Sequence, residues 1–540
     1  MKFLSRKTLI ICASVLMLLW LFFPRYSSRW DIIEDEKMLE GKREYLKNRV
    51  HPLRRSAPNI LIILADDLSR NDLTIYDKKN GIDTPHIASL AQDGVVFEQA
   101  LASSPICAPS RAGMLTGRVQ NRSGFDSQPM QIYPFFPAYY YAAELFLDTD
   151  EMSQVPFGTY PFPSQMKKQG VPHSELFLSE ILKEAGFGTA LVGKWHLGYG
   201  AEQYPTMRGF DHYYGFLEAF SYPDDPDKDD VVSFQHDLFW EKHIWHMKRK
   251  GASAIQLNGS VIKEDRHLTD AFTDESIDYI DEHFTENPDT PFFLYSSYNA
   301  PHTPFIELKE YYDRFPEIED ENRRIYAAMI SHLDEGIGRL IEDLKERGIY
   351  DETLIVFASD NGGASYTEAT DNGELAGGKM SQFEGGLEIP MIIKWPEEEG
   401  FVGLYEPMVS LMDVYSTALA ALDLPVPGDR VIDSVNLLPY VRGDHPGDPH
   451  QSLFWKSDYN LTLRRGPWKL MLNTYTGSTQ LYNLDADRGE YKDLSEEEPE
   501  LLQELMNELE AKANECLPPM WPRVMDFEIE VHGKKYKFAT

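Results

Sequence analysis

The stretch NILIILADD, Asn59 to Asp67, is a near-continuous apolar run closed by two carboxylates. Such a run has no solvent face, so it predicts a strand covered on both sides, the arrangement found in sheets sandwiched between helices. Three other segments share the form. TLIVFASDNGG (353–363) ends in Asp360 and Asn361, GTALVGKWHLG (188–198) places Lys194 and His196 at its end, and PFFLYSSYNAPHTP (291–304) carries His302. Between them, SELFLSEILKEAG (174–186) and YAAMISHLDEGIGRLIEDLKERG (326–348) repeat apolar residues at the three- and four-residue spacing of amphipathic helices. Strands alternating with helices predict an α/β fold, a large mixed and mostly parallel sheet flanked by helices. In such sheets ligands collect where the carboxyl ends of strands meet, so the polar residues at the four run ends are predicted to converge.

A carboxylate pair after a strand is usually a cap or a turn, and DNGG alone is a common turn; four such clusters together point to a site. Asp66, Asp67, Asp360 and Asn361 offer only oxygen donors, which suits a hard cation such as Ca²⁺ or Mg²⁺ and argues against zinc. His196 and His302 are then left for proton chemistry. His243 and His246 in EKHIWHMKRK have the spacing of a metal motif but lack partners, and are read as a solvated helix face. The acidic YPDDPDKDD (222–230) is read as a solvated loop.

SSPICAPSRAGML (103–115) isolates Cys107 between prolines in a chain with only two other cysteines, Cys12 and Cys516, and so without a disulfide framework. Pro109 marks the first turn of a helix, which sets Cys107 at its positive end, and Arg111 adds a permanent cation with bidentate geometry for oxyanions. These residues alone suggest a cysteine phosphatase. That chemistry, however, cradles phosphate in a longer loop than the three residues between Cys107 and Arg111, and a hard-cation site beside a thiolate would be odd.

CAPSR followed by AGMLTGR resembles the maturation signature C-x-P-S-R of the type I sulfatases, in the alkaline-phosphatase-like superfamily. ADD (65–67), GKWHLG (193–198), APHTP (300–304), SDNGG (359–363) and GGKMSQFEGG (377–386) are similar to further blocks of that family, in its order, over most of residues 58 to about 395. GKWHLG leans towards the arylsulfatase-like branch. The resemblance implies an enzyme that hydrolyses a sulfate ester to an alcohol and inorganic sulfate. It implies that a maturation enzyme oxidises Cys107 to formylglycine, whose hydrate, a gem-diol, supplies the nucleophilic hydroxyl and later expels sulfate by collapsing to the aldehyde. By the same resemblance Asp66, Asp67, Asp360 and Asn361 would hold one Ca²⁺ together with the Cys107-derived residue, and Arg111 would steady the gem-diol. Lys194 and Lys379 would neutralise the sulfate, His196 would act as the base that triggers elimination, and His302, helped by Lys379, would protonate the departing alcohol. Two other readings use the same residues: a phosphodiesterase or phosphonate monoester hydrolase with the same nucleophile, and a non-catalytic protein that binds sulfated glycans with Cys107 unmodified. A sulfated glycan, a lipid and a small aryl ester remain open as substrates. The aromatic- and proline-rich segment between Arg118 and Ser174 matches no family block and is expected to shape the substrate pocket.

At the start, Lys2, Arg6 and Lys7 precede an apolar run from Thr8 to Phe23. It is shorter than a bilayer span of about 20 residues and lacks a nearby small-x-small cleavage pair. Residues 1–30 are read as an export signal or, preferentially, an uncleaved membrane anchor with the bulk of the chain exported, residues 31–57 as a charged stem and 58–430 as the catalytic domain. Residues 431–540 are read as a smaller α+β subdomain with an antiparallel sheet, following a linker near 423–450. Its strands come from LTLRRGPWKLMLN and TQLYNLDADRGE, its helix carries Leu501, Leu502, Leu505, Met506 and Leu509, and a hairpin turns at His532-Gly533. The net charge of -35 argues against a nucleic-acid partner and requires any anionic substrate to be captured by a few local cations.

Overall fold

The computed structural model describes residues 6–32, 34–52, 57–79, 81–130, 137–138, 152–154, 159–396, 401–523 and 525–539. The four apolar runs form four neighbouring strands, Thr353–Ser359, Asn59–Ala65, Phe292–Ser297 and Gly188–Lys194, all parallel, with Ile60 opposite both Leu354 and Phe293. His212–Phe216 extends the parallel block beyond Gly188–Lys194. On the other side Met391–Lys394 pairs antiparallel with Thr353–Ser359, and short strands complete a mixed, mostly parallel sheet.

Alternation along Asn59–Ala65 explains the layers. Ile60, Ile62 and Leu64 join a core with Ala108, Ala112 and Leu115 of the helix Cys107–Thr116, while Leu61, Ile63 and Ala65 join another with Leu333, Ile337 and Leu340 of the helix Glu321–Glu346. Each buried Ile or Leu contributes about 1.5–3 kcal/mol relative to exposure, which is why a strand between two helix layers has no polar position to spare. The long helix starts where Asp320 accepts hydrogen bonds from the backbone N–H groups of Asn322 and Arg323.

The C-terminal part holds a four-stranded antiparallel sheet, Ser452–Ser457, Asn460–Arg465, Trp468–Asn473 and Ser478–Asn483. The helix Pro499–Ala513 covers it through Leu505 and Leu509. The hairpin Met525–Val531 and Lys534–Ala539 turns at His532-Gly533 and pairs with Met152–Gln154 from the segment after Arg118; 131–136, 139–151 and 155–158 of that segment lie outside the described residues. Residues 423–450, expected as a linker, are pinned to the body at several points, while 442–448 are exposed. Leu424 and Leu437 are buried in the main core, and His450 Nε2 lies 2.8 Å from Asp413 Oδ2.

The stem is docked along the body. Its helix Glu36–Arg49 buries Lys42, whose Nζ reaches Glu180 Oε1 at 2.7 Å and the carbonyls of His173 and Glu175. Before it, the apolar helix Arg6–Phe22 exposes Ile10, Ile11, Leu16, Met17 and Leu19. Among the described residues no helix is long and apolar enough to cross a membrane.

A buried ion cluster joins the C-terminal sheet to the loop 377–386. Lys469 Nζ lies 2.8 Å from both Glu384 Oε1 and Glu490 Oε1, and Arg464 Nη1 lies 2.7 Å from Glu384 Oε2. Burial pushes the Glu490 carboxyl up to about 7 in spite of Lys469, with the Glu384 charge adding to the rise. A carboxyl raised on folding stabilises the fold below its ordinary value of 4.5, and this contribution is lost as pH climbs through the folded value. Wild-type protein is therefore expected to lose about 3 kcal/mol more than Glu490→Gln between pH ~4.5 and pH ~7.5, measured by chemical unfolding at each pH.

Candidate active site

Parallel strands deliver their carboxyl ends to the same edge, and the sequence places its polar residues there. Asp66 and Asp67 follow Asn59–Ala65, Asp360 and Asn361 follow Thr353–Ser359, Lys194 ends Gly188–Lys194 with His196 just beyond, and His302 lies after Phe292–Ser297. Cys107 opens the helix Cys107–Thr116. Lys379 comes from the loop 377–386, anchored where its N–H donates to Gly363 O at 2.9 Å and where Met380 N–H donates to Pro105 O at 2.8 Å. SDNGG and EGG meet here backbone to backbone. A Cβ on Gly362 would stand 2.0 Å from Gly385 O, so a side chain at this crossing would force the loops apart.

The structure brings all ten of these residues, Arg111 included, to one buried site, none more than 6% exposed. Cys107 Sγ sits 3.4 Å from Asp66 Oδ1 and 3.8 Å from Asp67 Oδ1. Each carboxylate has its own cation: Lys194 Nζ lies 2.6 Å from Asp66 Oδ2, Lys379 Nζ 2.7 Å from Asp67 Oδ2, and Arg111 Nε 2.8 Å from Asp360 Oδ2. Arg111 Nη1 also donates to Ser297 Oγ at 2.5 Å and to Lys194 O at 3.2 Å. Asp67 takes a left-handed backbone, φ 67°, with its N–H on Asp360 Oδ1, a conformation that aspartate adopts more readily than most side chains. His302 Nε2 faces Asp67 Oδ2 at 3.6 Å while its Nδ1 donates to Thr303 O. Neither ring nitrogen of His196 has a hydrogen-bond partner.

Electrostatics assign protonation states. Burial drives the Cys107 thiol well above its ordinary range, with the charge of Asp360 adding to the rise and Lys194 and Lys379 opposing it. A thiolate nucleophile is thus disfavoured at Cys107, which counts against the cysteine-phosphatase reading. Burial opposes ionisation of Asp66 and Asp67 as well, but the lysines beside them, with His302, hold both carboxyls below their ordinary value. Burial and then the charges of Lys194, Arg111 and Lys379 push His196 well down, so it is neutral and able to accept a proton.

The donor set fits a hard cation. Asn361 Oδ1 is buried with no hydrogen-bond partner, beside three buried carboxylates. One ligand atom each from Asp66, Asp67, Cys107 and His302 lies within 4.8 Å of the others. Oxygen donors in this number suit Ca²⁺ or Mg²⁺. The trio His267, Glu307 and His332 is a different case. His332 Nδ1 lies 2.8 Å from Glu307 and its Nε2 3.3 Å from Asp270. Burial opposes its charge, yet Glu307 and Asp270 raise it to about 9, so a proton holds that network together.

His246 is exposed, in line with a solvated face, and the 222–230 loop is solvated except at its start, where buried Asp224 accepts from Lys228 at 2.6 Å. The sequence reading passed over Ser297 and Thr303, which hold Arg111 and His302. Both lie in PFFLYSSYNAPHTP, where the rule that marked His302, polar residues at a strand end, also applies.

The sulfatase family model matches residues 58–424. The chain is similar to the N-acetylgalactosamine-6-sulfatase of Homo sapiens, 29% identical over 433 residues that cover 80% of this chain and 74% of that one. It is also similar to the steryl-sulfatase of Homo sapiens, 27% identical over 459 residues, 74% of this chain and 72% of that one. Among solved structures, the crystal structure of Ps i-CgsB superposes with a TM-score of 0.70 at 31% identity, over 86% of this chain and 94% of that chain. With the family model spanning over half of the sequence and every residue of the buried site inside that span, the chain belongs to the type I sulfatase family, enzymes that hydrolyse sulfate esters.

Proposed function

We propose that this chain is a formylglycine-dependent sulfatase of the arylsulfatase-like branch, acting on a sulfated carbohydrate. The observation that carries this reading is the ring of three buried cations and two imidazoles around the buried Cys107. Oxidation of Cys107 by a maturation enzyme gives an aldehyde whose hydrate supplies the nucleophilic hydroxyl. Asp66, Asp67, Asp360 and Asn361 would hold Ca²⁺, which supplies electrophilic charge at the sulfate oxygens when bound. Arg111, fixed by Asp360 and Ser297, has its Nη2 free of hydrogen-bond partners and orients the nucleophile at position 107. Lys194 and Lys379 balance charge on the sulfate oxygens in a site dry enough for that balance to matter. His302 donates a proton from Nε2 to the leaving alcohol. With Nδ1–H held by Thr303 O, this step uses the doubly protonated ring, whose Nε2 proton burial and Lys379 make easier to release. His196, neutral and unpartnered, accepts the proton that accompanies sulfate release.

Two observations support a sugar as the alcohol. Similar proteins are named N-acetylgalactosamine-6-sulfatase, and one structure of Ps i-CgsB is a complex with a neocarrahexaose. Beside the site, partly exposed Tyr366 lies 6.3 Å from Phe527 of the C-terminal hairpin, and the two pack with Ile106 and Met380, the neighbours of Cys107 and Lys379. The exposed part of the Tyr366 ring, backed by these buried side chains, suits the apolar face of a pyranose ring. The basic start and exposed apolar helix Arg6–Phe22 support export, with that helix as signal or anchor.

The test compares turnover of p-nitrophenyl sulfate, bis-p-nitrophenyl phosphate, a 6-sulfated N-acetylgalactosamine, sulfated carrageenan oligosaccharides and a steryl sulfate, alongside mass spectrometry of the Cys107 peptide. The expected outcome is the aldehyde mass at position 107 and hydrolysis of sulfate esters, highest on a sugar sulfate. Preference for the phosphodiester overturns the reaction class, and an unmodified thiol in protein from its own host favours the binding protein.

A further inference from the structure

The strand Phe305–Leu308, just after His302, pairs antiparallel with Val231–Phe234, setting Phe305 opposite Phe234. From there the chain turns through His236 into the helix Phe239–Met247, whose first turn brings Glu241 against the His302 loop. Glu241 is fully buried, with 0% of its surface exposed. Its Oε1 accepts from the Thr303 hydroxyl and from His236 Nδ1 at 2.7 Å, and its Oε2 accepts from the His236 backbone N–H at 2.7 Å. His236 Nε2 in turn lies 2.9 Å from Asn322 Oδ1, and Asn322 Nδ2 donates to Thr367 O at 2.6 Å. Thr303 is thus tied at its side chain to a carboxylate that His236 holds through both its ring and its backbone N–H. Its carbonyl receives the Nδ1 proton of His302. A carbonyl can only accept, so Nδ1 keeps its hydrogen and Nε2, facing Asp67, is the nitrogen that carries the second proton and delivers it in the site.

We propose that Glu241 is a positioning residue for His302: by clamping the Thr303 side chain it fixes the carbonyl that holds His302 Nδ1–H, and so aims Nε2 at the leaving oxygen. The inference rests on the reading of His302 as the acid for the departing alcohol. A hydroxyl-to-carboxylate hydrogen bond is charge-assisted and about twice as strong as a neutral one, which suits it to pinning the backbone of a short loop. Groups that orient a working imidazole through its second nitrogen govern its tautomer and direction, and small displacements of a proton donor are costly.

The test uses full-length protein with converted Cys107 and a series of aryl sulfates whose phenols differ in acidity, from p-nitrophenyl sulfate to phenyl sulfate. Proton donation matters little for an acidic phenol and much for a weakly acidic one. Glu241→Gln and Thr303→Val are each expected to lower kcat for phenyl sulfate by about 10–100-fold, and for p-nitrophenyl sulfate by less than about 3-fold, with KM unchanged. Thr303→Ser, which keeps the hydroxyl, restores near-wild-type behaviour. His302→Ala is the reference and shows the same dependence on the leaving group, more steeply. A steep loss in His302→Ala with an even loss, or none, in both Glu241→Gln and Thr303→Val overturns the positioning role alone. An even loss in His302→Ala overturns the acid role and the positioning role with it.

Discussion

Replacing Cys107 with alanine is expected to lower kcat on p-nitrophenyl sulfate by about 10⁴–10⁶-fold, the scale seen when a covalent nucleophile is removed, while the melting temperature stays close to wild type. The fold tolerates the change because Sγ contributes little packing: it faces Asp66 and Asp67, not a hydrocarbon core. The chemistry does not tolerate it, since Lys194, Lys379 and Arg111 are built around an atom at this position. Cys107→Ser sharpens the expectation. A serine hydroxyl could attack sulfur once, but it has no second hydroxyl with which to expel sulfate. At most one equivalent of phenol per enzyme is then expected in a burst assay, with no steady turnover. Retention of more than about 1% of wild-type kcat by Cys107→Ala would remove position 107 from the reaction.

How far this site could be read in advance depends on what each residue's role leaves in the chain nearby. The strand Asn59–Ala65 is legible because burial on both faces excludes polar residues from all seven positions, and its end is legible because two carboxylates follow at once. The same holds for Thr353–Ser359, Gly188–Lys194 and Phe292–Ser297, and parallel pairing does the rest by collecting their ends on one edge. The pairing itself is not local. Nothing near Arg111 announces that its partner is Asp360, 249 residues away. The similarity of CAPSR and its companion blocks to a known family supplied that step.

Glu241 illustrates the opposite case. In EKHIWHMKRK the two histidines draw attention by spacing, yet His246 is exposed and the group that reaches the site is the glutamate ahead of them. A carboxylate at the start of a helix is ordinary, and its meaning comes from Thr303, 62 residues later. Residues 423–450 are legible only in part for a related reason. Proline and glycine resemble a linker, whereas the packing that holds the segment runs through Asp413, which takes the Val435 N–H at 2.8 Å and His450.

Lys469→Met is expected to destabilise the protein by about 3–5 kcal/mol, the cost of removing one partner from a buried ion pair. Lys469 is fully buried and holds two carboxylates, so its loss leaves Glu384 with Arg464 alone and Glu490 with no cation in the cluster. Methionine matches the length of the lysine stem, which confines the loss to charge. Equilibrium unfolding in urea measures it, and a difference below about 1 kcal/mol would show the cluster to be incidental. Glu490→Gln added to Lys469→Met is expected to recover part of the loss, because the two residues share one network and their effects do not add. The consequence reaches the reaction. Glu384 opens the turn Glu384–Leu387 in the same loop as Lys379, and its N–H is held by Glu490 at 2.8 Å. Loosening the cluster frees the loop that carries Lys379 to Asp67, so kcat/KM should fall in Lys469→Met even at temperatures where the protein remains folded. The C-terminal sheet thereby bears on the binding of sulfate through this loop, to which its buried charges are fixed.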